Sequence, residues 1–445
     1  MSSKQADVGL VPADWAVEEL RAFCSLITYG FTNPMPDATE GPWKLTAKDV
    51  IDGRINYGTA RRTTQDAFDR LTDKSRPRVG DVLLTKDGSI GRVAVVDRDG
   101  LCINQSVALI RPNDRISSDF LKYLLFSPHY QKVMEGDSDG STIKHIYITR
   151  VDKMQVAVPP MEEQKRILAV VKSIDDRITL LRETNTTFEA IAQALFKSWF
   201  VDFDPIHAKM QGRAPEGMDE ATAALFPYSF EESELGAVPK GWRVGSVEDL
   251  CSTITNGGTP SRSKTVFWDG GSIPWFKTGE FHDGFLLKAS EFITGVALNG
   301  SSVKLLPKDS VLMAIYAAPT VGRLGILTEP GTFNQACTGM FAKADIGPWF
   351  LFWTLFNGRD WFNSRANGAA QQNISKAIVA AYRVVVPGNS LLAAFNNSAQ
   401  SLHDSIRLNS EKAHTLSALR DTLLPRLISG QLQLPDVGQL SESLA

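Results

Sequence analysis

The longest regular pattern in the chain is an apolar stripe that follows a pair of prolines at 159–160. Its residues recur at steps of four and three, the spacing of a heptad repeat along one face of a helix. The first stripe consists of Ile167, Val171, Ile174, Ile178, Leu181, Asn185, Phe188, Ala192, Leu195 and Trp199. The second stripe consists of Phe395, Ala399, Leu402, Ile406, Asn409, Ala413, Leu416, Arg420, Leu423 and Leu427. They predict two long helices of roughly 50 Å at 1.5 Å per residue, and Pro425 predicts a kink or an early end in the second.

Each stripe contains one asparagine among its apolar side chains. A buried asparagine costs stability and is tolerated where it fixes the register of paired helices. If the helices pair antiparallel with Asn185 level with Asn409, then Trp199 faces Phe395 and both stripes match end to end. We therefore predict an antiparallel coiled coil in this register. The alternative is a looser bundle with both asparagines at its edge.

Outside the stripes, short apolar runs alternate with glycine, aspartate and proline, which is typical of strands joined by turns. The clearest strand signals in the first half are 81–84, 92–96 and 106–110, and 119–134 has a helical pattern. Each half of the chain therefore combines a mixed domain with a long helix. We predict an α+β fold.

The chain also repeats itself at about half its length. Trp15 and Cys24 recur as Trp242 and Cys251, both 227 residues later. The Gly-Arg, Asn-Gln and Val-Pro pairs at 91–92, 104–105 and 158–159 recur in the same order at 322–323, 334–335 and 386–387. Such self-similarity is the sequence signature of repeated structural units. It predicts two related mixed domains in tandem, separated by the long helices.

These patterns define the predicted domain organisation. The segments are a first mixed domain at 1–159, a first helix at 160–204, a linker at 205–236, a second mixed domain at 237–387, a second helix at 388–430 and a C-terminal tail at 431–445. Two similar domains on a rigid spacer suit a target with two separated sites, and a DNA duplex is such a target.

Composition narrows the class of protein. Of the 445 residues, 43% are hydrophobic and 22% are charged, which is typical of a globular chain. The net charge of -3 argues mildly against a protein that binds nucleic acid without a partner protein. No two of the four cysteines lie within four residues of each other, so no zinc or redox pair is predicted. Neither a signal peptide nor an apolar run of membrane length is found, and we expect a cytoplasmic protein without a membrane span.

Several longer strings carry a family resemblance. They are VPKGW at 238–242, TNGGTPSR at 255–262, PPMEEQKRI at 159–167, WFVDFDP at 199–205 and LPRLISG at 424–430. On these strings, and in its duplicated layout, the chain resembles the specificity subunit of type I restriction-modification enzymes over essentially its whole length. The first domain departs from the pattern, because TYGFTNP at 28–34 stands where the second domain has the glycine-rich string.

The resemblance implies that each mixed domain is a target recognition domain for one half of a bipartite, asymmetric DNA sequence. It implies that the helices set the spacing of the half-sites and bind two modification (methyltransferase) subunits, with restriction subunits as further partners. S-adenosylmethionine, ATP and magnesium would belong to those partners, with no cofactor on this chain. The stripe residues expected to pair the helices and bind subunits are Ile174, Ile178, Asn185, Phe188, Leu195, Leu402, Ile406, Asn409, Leu416 and Leu423.

Candidate DNA contacts in the first domain are loop residues that can donate to phosphates or base edges. They are Tyr29, Thr32, Arg61, Arg62, Lys86, Ser89, Arg92, Lys144 and His145. Arg61 and Arg62 belong to a basic loop, and the turn at 86–92 has glycines that let the backbone approach a phosphate closely. A solvated loop or an ordinary hairpin is the alternative for these segments.

The second domain offers an analogous set. Its candidates are Asn256, Thr259, Ser261, Arg262, Lys264, Lys277, Thr278, Arg323, Gln371, Gln372 and Asn373. The amide run at 371–373 is of the type that pairs bidentately with adenine, although it is equally compatible with a solvated loop. We rank the Asn-Gln pairs at 104–105 and 334–335 lower for base contact, because a feature shared by two domains that read different sequences is expected to be structural or to face the DNA backbone.

No catalytic spacing stands out. Nucleotide-binding, metalloprotease and serine-hydrolase motifs are missing, and we interpret Asp202 and Asp204 as part of a cap or turn. The histidines are isolated, and His403 and His414 are expected on an exposed helix face. We expect a non-catalytic subunit without a metal site. The alternatives are a DNA-binding or bridging protein that acts without a methyltransferase, and an enzyme with an unrecognised site.

Overall fold

The computed structural model describes residues 3–6, 9–51, 53–136, 145–316, 320–366 and 373–434. Contacts divide the chain into two compact units, Met1–Ile178 together with Thr415–Ala445, and Thr179–His414. The boundary falls within both long helices, so each unit contains part of each helix. Lys144, Gln371 and Gln372 lie outside the described residues.

The first unit is built from short strands and helices ahead of the first long helix. Its strands are β1 (Ser3–Ala6), β2 (Gly9–Pro12), β3 (Ala16–Glu19), β4 (Cys24–Tyr29), β5 (Ala38–Leu45), β6 (Val50–Ile51), β7 (Arg54–Ile55), β8 (Arg61–Arg62), β9 (Val82–Thr85), β10 (Val93–Val95), β11 (Leu101–Ile103), β12 (Val107–Pro112) and β13 (Gln155–Val158). Its helices are α1 (Gln65–Asp69), α2 (Ser118–Phe126), α3 (Pro128–Gly136), α4 (Ile148–Val151) and the start of α5 (Met161–Phe200).

A four-stranded antiparallel sheet in the order β10-β9-β12-β4 forms the centre of this unit. Successive strand residues point to opposite sides of the sheet, and the residues on both sides are buried. Leu84 packs in one core with Phe120 of α2, whereas Leu83 packs in a second core with Leu45 and Leu101. This two-sided burial explains why the strands are continuous apolar runs in the sequence.

The second unit repeats this inventory. Its strands are β14 (Phe230–Ser233), β15 (Gly236–Pro239), β16 (Arg243–Ser246), β17 (Cys251–Asn256), β18 (Ile273–Phe276), β19 (Gly284–Leu286), β20 (Glu291–Ile293), β21 (Val311–Ala314), β22 (Leu324–Leu327), β23 (Thr332–Phe333), β24 (Cys337–Ala342) and β25 (Arg383–Val386). Its helices are α6 (Asp204–Met210), α7 (Glu220–Ala224), α8 (Val247–Leu250), α9 (Gly295–Gly300), α10 (Pro348–Asn357), α11 (Arg359–Ser364), α12 (Lys376–Ala380) and most of α13 (Asn389–Ile428).

The strand pairing confirms the duplication predicted from the sequence. The order β17-β24-β21-β22 in the second unit corresponds to β4-β12-β9-β10 in the first. The parallel pair β18 and β23 corresponds to β5 and β11, and the pair β16 and β25 corresponds to β3 and β13. The predicted α+β architecture of tandem mixed domains with two long helices is therefore confirmed.

The two long helices pair antiparallel in the predicted register. In the second unit, Nδ2 of Asn409 donates to Oδ1 of Asn185 at 3.0 Å, and the rings of Trp199 and Phe395 lie 6.0 Å apart. In the first unit, the stripe residues at 167 and 427 share one apolar core. Every stripe position is buried or half-buried, so the stripe residues hold the helices to each other and to the mixed domains.

Two helix predictions need correction. The helix expected at 119–134 is interrupted at Ser127, whose backbone is extended with ψ 147°. The cause is Pro128, because a residue that precedes proline disfavours the helical conformation. Helix α13, in contrast, does not end early, since it continues through Pro425 to Ile428. The proline stands in the last turn, where its missing N–H removes only one hydrogen bond.

The segment 205–236, predicted as a linker, is folded. It contains most of α6, then α7 and β14, and Ile206 and Phe226 are buried in the core of the second unit. His403 also departs from its expected exposure, because its imidazole is buried in a stack with Trp349 at 3.8 Å between ring centres. No helix in the described part of the chain is long and apolar enough to cross a membrane.

Candidate nucleic-acid interface

Three candidate residues of the first domain, distant in sequence, meet around the carboxylate of Asp87. The Nζ of Lys86 lies 2.9 Å from Oδ1 of Asp87, and Nδ1 of His145 lies 2.9 Å from the same oxygen. The Lys86 ammonium also lies 5.4 Å from the ring centre of Tyr29. Tyr29 and His145 are exposed whereas Lys86 is half-buried, so the cluster presents an aromatic ring and an imidazole to solvent.

The turn after β9 positions this cluster. The hydroxyl of Thr85 accepts a hydrogen bond from the backbone N–H of Arg92 at 2.9 Å. Gly88 and Gly91 have φ of 78° and 81°, a conformation that only glycine adopts readily. The exposed Ser89 and Arg92 lie on the same turn. The two glycines therefore shape a turn that carries three of the candidate residues, and its approach to a phosphate stays a prediction.

The basic loop of the first domain uses much of its charge internally. The guanidinium of Arg62 stacks 4.0 Å from the ring centre of Trp43 and donates to the carbonyl of Gly41 at 2.6 Å. Arg61 is exposed and forms an ion pair with Asp37 at 3.0 Å. Arg62 is thus held in a structural contact, whereas Arg61 keeps an exposed guanidinium.

In the second domain, hydrogen bonds from two tryptophan side chains hold the backbone of the loop that follows β17. The Nε1 of Trp275 donates to the carbonyl of Gly258 at 2.9 Å, and the Nε1 of Trp268 donates to the carbonyl of Ser261 at 3.1 Å. At Gly257, a Cβ atom would meet the carbonyl oxygen of Asn334 at 2.2 Å, so only glycine fits there. The glycine-rich string is therefore needed to lay this loop against the sheet.

The anchored loop carries an exposed cationic group. Arg262 stacks 3.8 Å from the ring centre of Trp268 and forms an ion pair with Glu291. The Nζ of Lys277 lies 2.6 Å from the other oxygen of Glu291. Hydrogen bonds from Arg262 and then Lys277 hold the pKa of Glu291 below its usual value. The shared carboxylate fixes both cations side by side, with the Arg262 side chain half exposed.

In each Asn-Gln pair, the asparagine makes hydrogen bonds within the domain and the glutamine is exposed. The Oδ1 of Asn104 accepts from the backbone N–H of Ser106 at 3.1 Å, and Oδ1 of Asn334 closes the corresponding turn. Their neighbours Gln105 and Gln335 are exposed, and the hydroxyl of Thr259 donates to Oε1 of Gln335. Both asparagines make structural hydrogen bonds, whereas the two glutamines lie at the surface, and the low ranking of the pairs for base contact stays a prediction.

The sequence matches the family described as the type I restriction modification DNA specificity domain over two stretches, 13–190 and 239–390, which together exceed half of the chain. The chain belongs to this family. Each matched stretch covers one mixed domain and the start of the long helix that follows, so the type I specificity domain occurs twice, in agreement with the duplication of the fold.

The specificity family is also represented among similar proteins. The HindI specificity subunit of Haemophilus influenzae is 28% identical over 409 residues, which is 81% of this chain and 88% of the relative. The MjaIX specificity subunit of Methanocaldococcus jannaschii is 24% identical over 98% of this chain and 97% of the relative. A crystal structure of the S subunit from M. genitalium has a TM-score of 0.53 at 15% identity, covers 95% of this chain, and supports the fold.

The remaining candidate residues of this specificity chain occupy varied positions. Thr32, Asn256, Ser261 and Lys264 are exposed, and Thr278 and Arg323 are half-buried. The Oδ1 of Asn373 is buried and has no hydrogen-bond partner among the described residues. Within the described ranges, no three His, Cys, Asp or Glu side chains are arranged to hold a metal ion.

Proposed function

We propose that this chain is the non-catalytic DNA-recognition subunit of a type I restriction-modification complex. Each mixed domain binds one half of a bipartite, asymmetric DNA sequence, and the two long helices hold the modification subunits. In this proposal, S-adenosylmethionine, ATP and magnesium bind to the partner subunits. Restriction subunits join the same assembly.

The observation that carries the proposal is one scaffold presenting two different polar surfaces. The segments that follow the corresponding strands β4 and β17 each contact an exposed glutamine. The backbone N–H of Gln105 donates to the carbonyl of Phe31 at 2.9 Å, and the hydroxyl of Thr259 donates to Gln335. Around this shared frame, the first domain presents Tyr29 and His145, whereas the second presents Arg262. Base edges are distinguished by the donors and acceptors that reach them, so different loops on equal frames suit two different half-sites.

The helix pair supports binding of two similar partners. Leu180 and Ile191 on α5 are about half exposed, and so are Leu408 and Leu419 on α13. Leu408 follows Leu180 by 228 residues, and Leu419 follows Ile191 by the same interval, which is the interval of the repeat at this point. The recurrence of large exposed apolar side chains at equivalent repeat positions supports two equivalent docking sites.

This assignment separates two roles that the sequence prediction combined. The stripe residues, such as Ile178 and Ile406, are buried and therefore stabilise the helix pair. The exposed leucines and isoleucine on the outer faces are the candidates for contact with the modification subunits. Their signal in the sequence is an apolar residue outside the heptad stripe that recurs in the second copy.

The proposal is tested by mapping methylated adenines in the genome of the host. Deletion of the gene, with the genes of the partner subunits left intact, should remove methylation at one bipartite motif and leave all other motifs unchanged. Restoring the gene on a plasmid should restore the same motif. A methylome that does not change on deletion would contradict the proposal.

A further inference from the structure

A cavity of about 360 Å³ in the second unit is lined by none of the candidate DNA-contacting residues. It lies where α5, the loop before β19, helix α10 and helix α13 meet. Aromatic side chains form much of its wall, including Phe285, Phe352 and Phe356. Its wall also contains acceptors on Glu189, Asp283 and His403, beside side chains that can donate on Thr186, Gln193, His282 and Trp353. The two carboxylates and the imidazole indicate what the cavity binds.

His403 supplies a neutral acceptor in this wall. Its side chain is 3% exposed, and its Nδ1 lies 2.8 Å from the carbonyl oxygen of Ala399. A carbonyl only accepts, so Nδ1 carries the proton and Nε2 has a free lone pair. Burial lowers the pKa of His403 to about 4, which keeps the ring neutral. In the part of the chain that the structure describes, Nε2 of this cavity-lining ring has no hydrogen-bond partner.

Two carboxylates add negative charge. Asp283 already has partners, because it accepts hydrogen bonds from the guanidinium of Arg359 and from the backbone N–H of Leu324. Glu189, half-buried on α5, has no ion pair with any described residue. Burial, and then the charge of Asp283, raises the pKa of Glu189. A cation beside Glu189 would offset both the burial of its carboxylate and the repulsion from Asp283.

In the first unit, two cations replace one residue that lines the cavity, Phe352, and one stripe residue of α5, Ala192. The interval of the repeat pairs Phe352 with Lys122 and Ala192 with Arg420. The Nη1 of Arg420 lies 2.8 Å from Oδ1 of Asp175, which is the repeat partner of His403. Burial lowers the pKa of Lys122, and the charges of nearby aspartates, including Asp175, oppose that shift. Where the first unit places lysine and arginine, the second therefore has a phenylalanine and an alanine.

We infer that the cavity binds an organic cation, a guanidinium or primary ammonium group on a short alkyl chain. Glu189 pairs with the charge, Nε2 of His403 accepts one N–H, and the rings of Phe352 and Phe356 contact the alkyl chain and the cation face. An anion is disfavoured by the carboxylates. A metal ion is disfavoured because the described residues offer no three-ligand group.

The cation has two possible sources, a free small molecule or a lysine or arginine side chain of a modification subunit. Agmatine, a guanidinium on a four-carbon chain, serves as the probe for both, and binding to the purified full chain is measured by isothermal titration calorimetry. Glu189→Gln removes the charge without changing the shape of the side chain. Glu183→Gln, at an exposed position on the same helix, is the matched control.

The expected result is saturable binding of one agmatine per chain, weakened at least tenfold in Glu189→Gln and unchanged in Glu183→Gln. No binding to the full chain, or equal binding to the two variants, would overturn the inference. The assembled complex with modification subunits then identifies the source. Retained binding assigns the cavity to a free cation, and lost binding assigns it to a partner side chain. DNA recognition is measured separately, so its failure and the failure of this inference are distinguishable.

Discussion

The amides of Asn185 and Asn409 are directly bonded across the helix pair, with Nδ2 of Asn409 donating to Oδ1 of Asn185 at 3.0 Å. The Nδ2 of Asn185 in turn donates to the carbonyl of Ile406 at 3.1 Å and to the hydroxyl of Ser410 at 2.9 Å. All the polar groups of this buried amide are therefore engaged. A shift of the helices by one turn would separate these groups, so the pair fixes the register.

Asn409→Ala should destabilise the helix pair, because it leaves Oδ1 of Asn185 buried without a donor. The expected loss is about 1–3 kcal/mol, measured as the shift of the urea midpoint followed by circular dichroism. Asn397→Ala, at an exposed position on the same helix, is the control and should shift the midpoint little. Equal shifts for the two variants would show that the amide pair does not stabilise the register.

His403→Phe should remove a pH dependence of stability. The unfolded chain takes up a proton on this imidazole as the pH falls through about 6.5, whereas the folded chain does so only near 4. Stability from this group is therefore complete above pH 6.5 and is lost as the pH falls towards 4. The contribution amounts to about 3 kcal/mol.

The measurement for His403 compares urea unfolding of the parent chain and the phenylalanine variant at pH 7 and pH 4.5. Phenylalanine retains the stack on Trp349 and cannot be protonated. The loss of stability between the two pH values should be smaller in the variant by roughly 2 kcal/mol. The same loss in both chains would mean that His403 is not held neutral by burial.

Sequence patterns predicted the helix pair well, because its information is local and periodic. The heptad stripe lies on the packed face of α5, although Leu168, Phe196 and Phe200 are buried outside it. A single asparagine per stripe, Asn185 or Asn409, fixes the register. The environment of His403 could not be predicted, because it depends on contacts between residues that are distant in the sequence. Its neighbour Trp349 is 54 residues away in the sequence, and only the packing of α10 against α13 buries the imidazole.

The candidate interface shows the same division. The turn around Gly88 and Gly91 was predicted, because positive φ has a direct sequence signal in glycine. The meeting of Lys86 with His145 has no such signal, since it depends on how a distant segment returns to the sheet. The internal use of Arg62 was also hidden, because its partner Trp43 lies on another strand. The number of basic residues in a loop therefore does not reveal which of their side chains are free to contact DNA.

Leu180→Glu should prevent one modification subunit from docking, because a carboxylate would replace an apolar contact in the proposed interface. Leu408→Glu should remove the other subunit, and the double variant should remove both. The stoichiometry of co-purified complexes is measured by native mass spectrometry. Leu305→Glu, a comparably exposed leucine in the second domain, is the control and should retain two subunits. Full stoichiometry in the double variant would contradict the docking sites.

Arg262→Ala should weaken binding of the assembled complex to its target DNA by about 10- to 100-fold, which is typical for loss of one base-directed arginine. Binding to unrelated DNA should change much less, because that affinity arises from many phosphate contacts. Fluorescence anisotropy at a single salt concentration measures both. Arg243→Ala, exposed on β16, is the control. A uniform loss on both DNAs would assign Arg262 to the phosphate backbone instead.

The central claim is that two related domains recognise two different half-sites independently. Its most direct test is the adenine methylome of a host in which only the loop of the second domain is altered, with Thr259, Ser261 and Arg262 changed together to alanine. The predicted result is a methylated motif with one half relaxed or changed and the other half and the spacing preserved. A change in both halves, or an unaltered motif, would contradict the account.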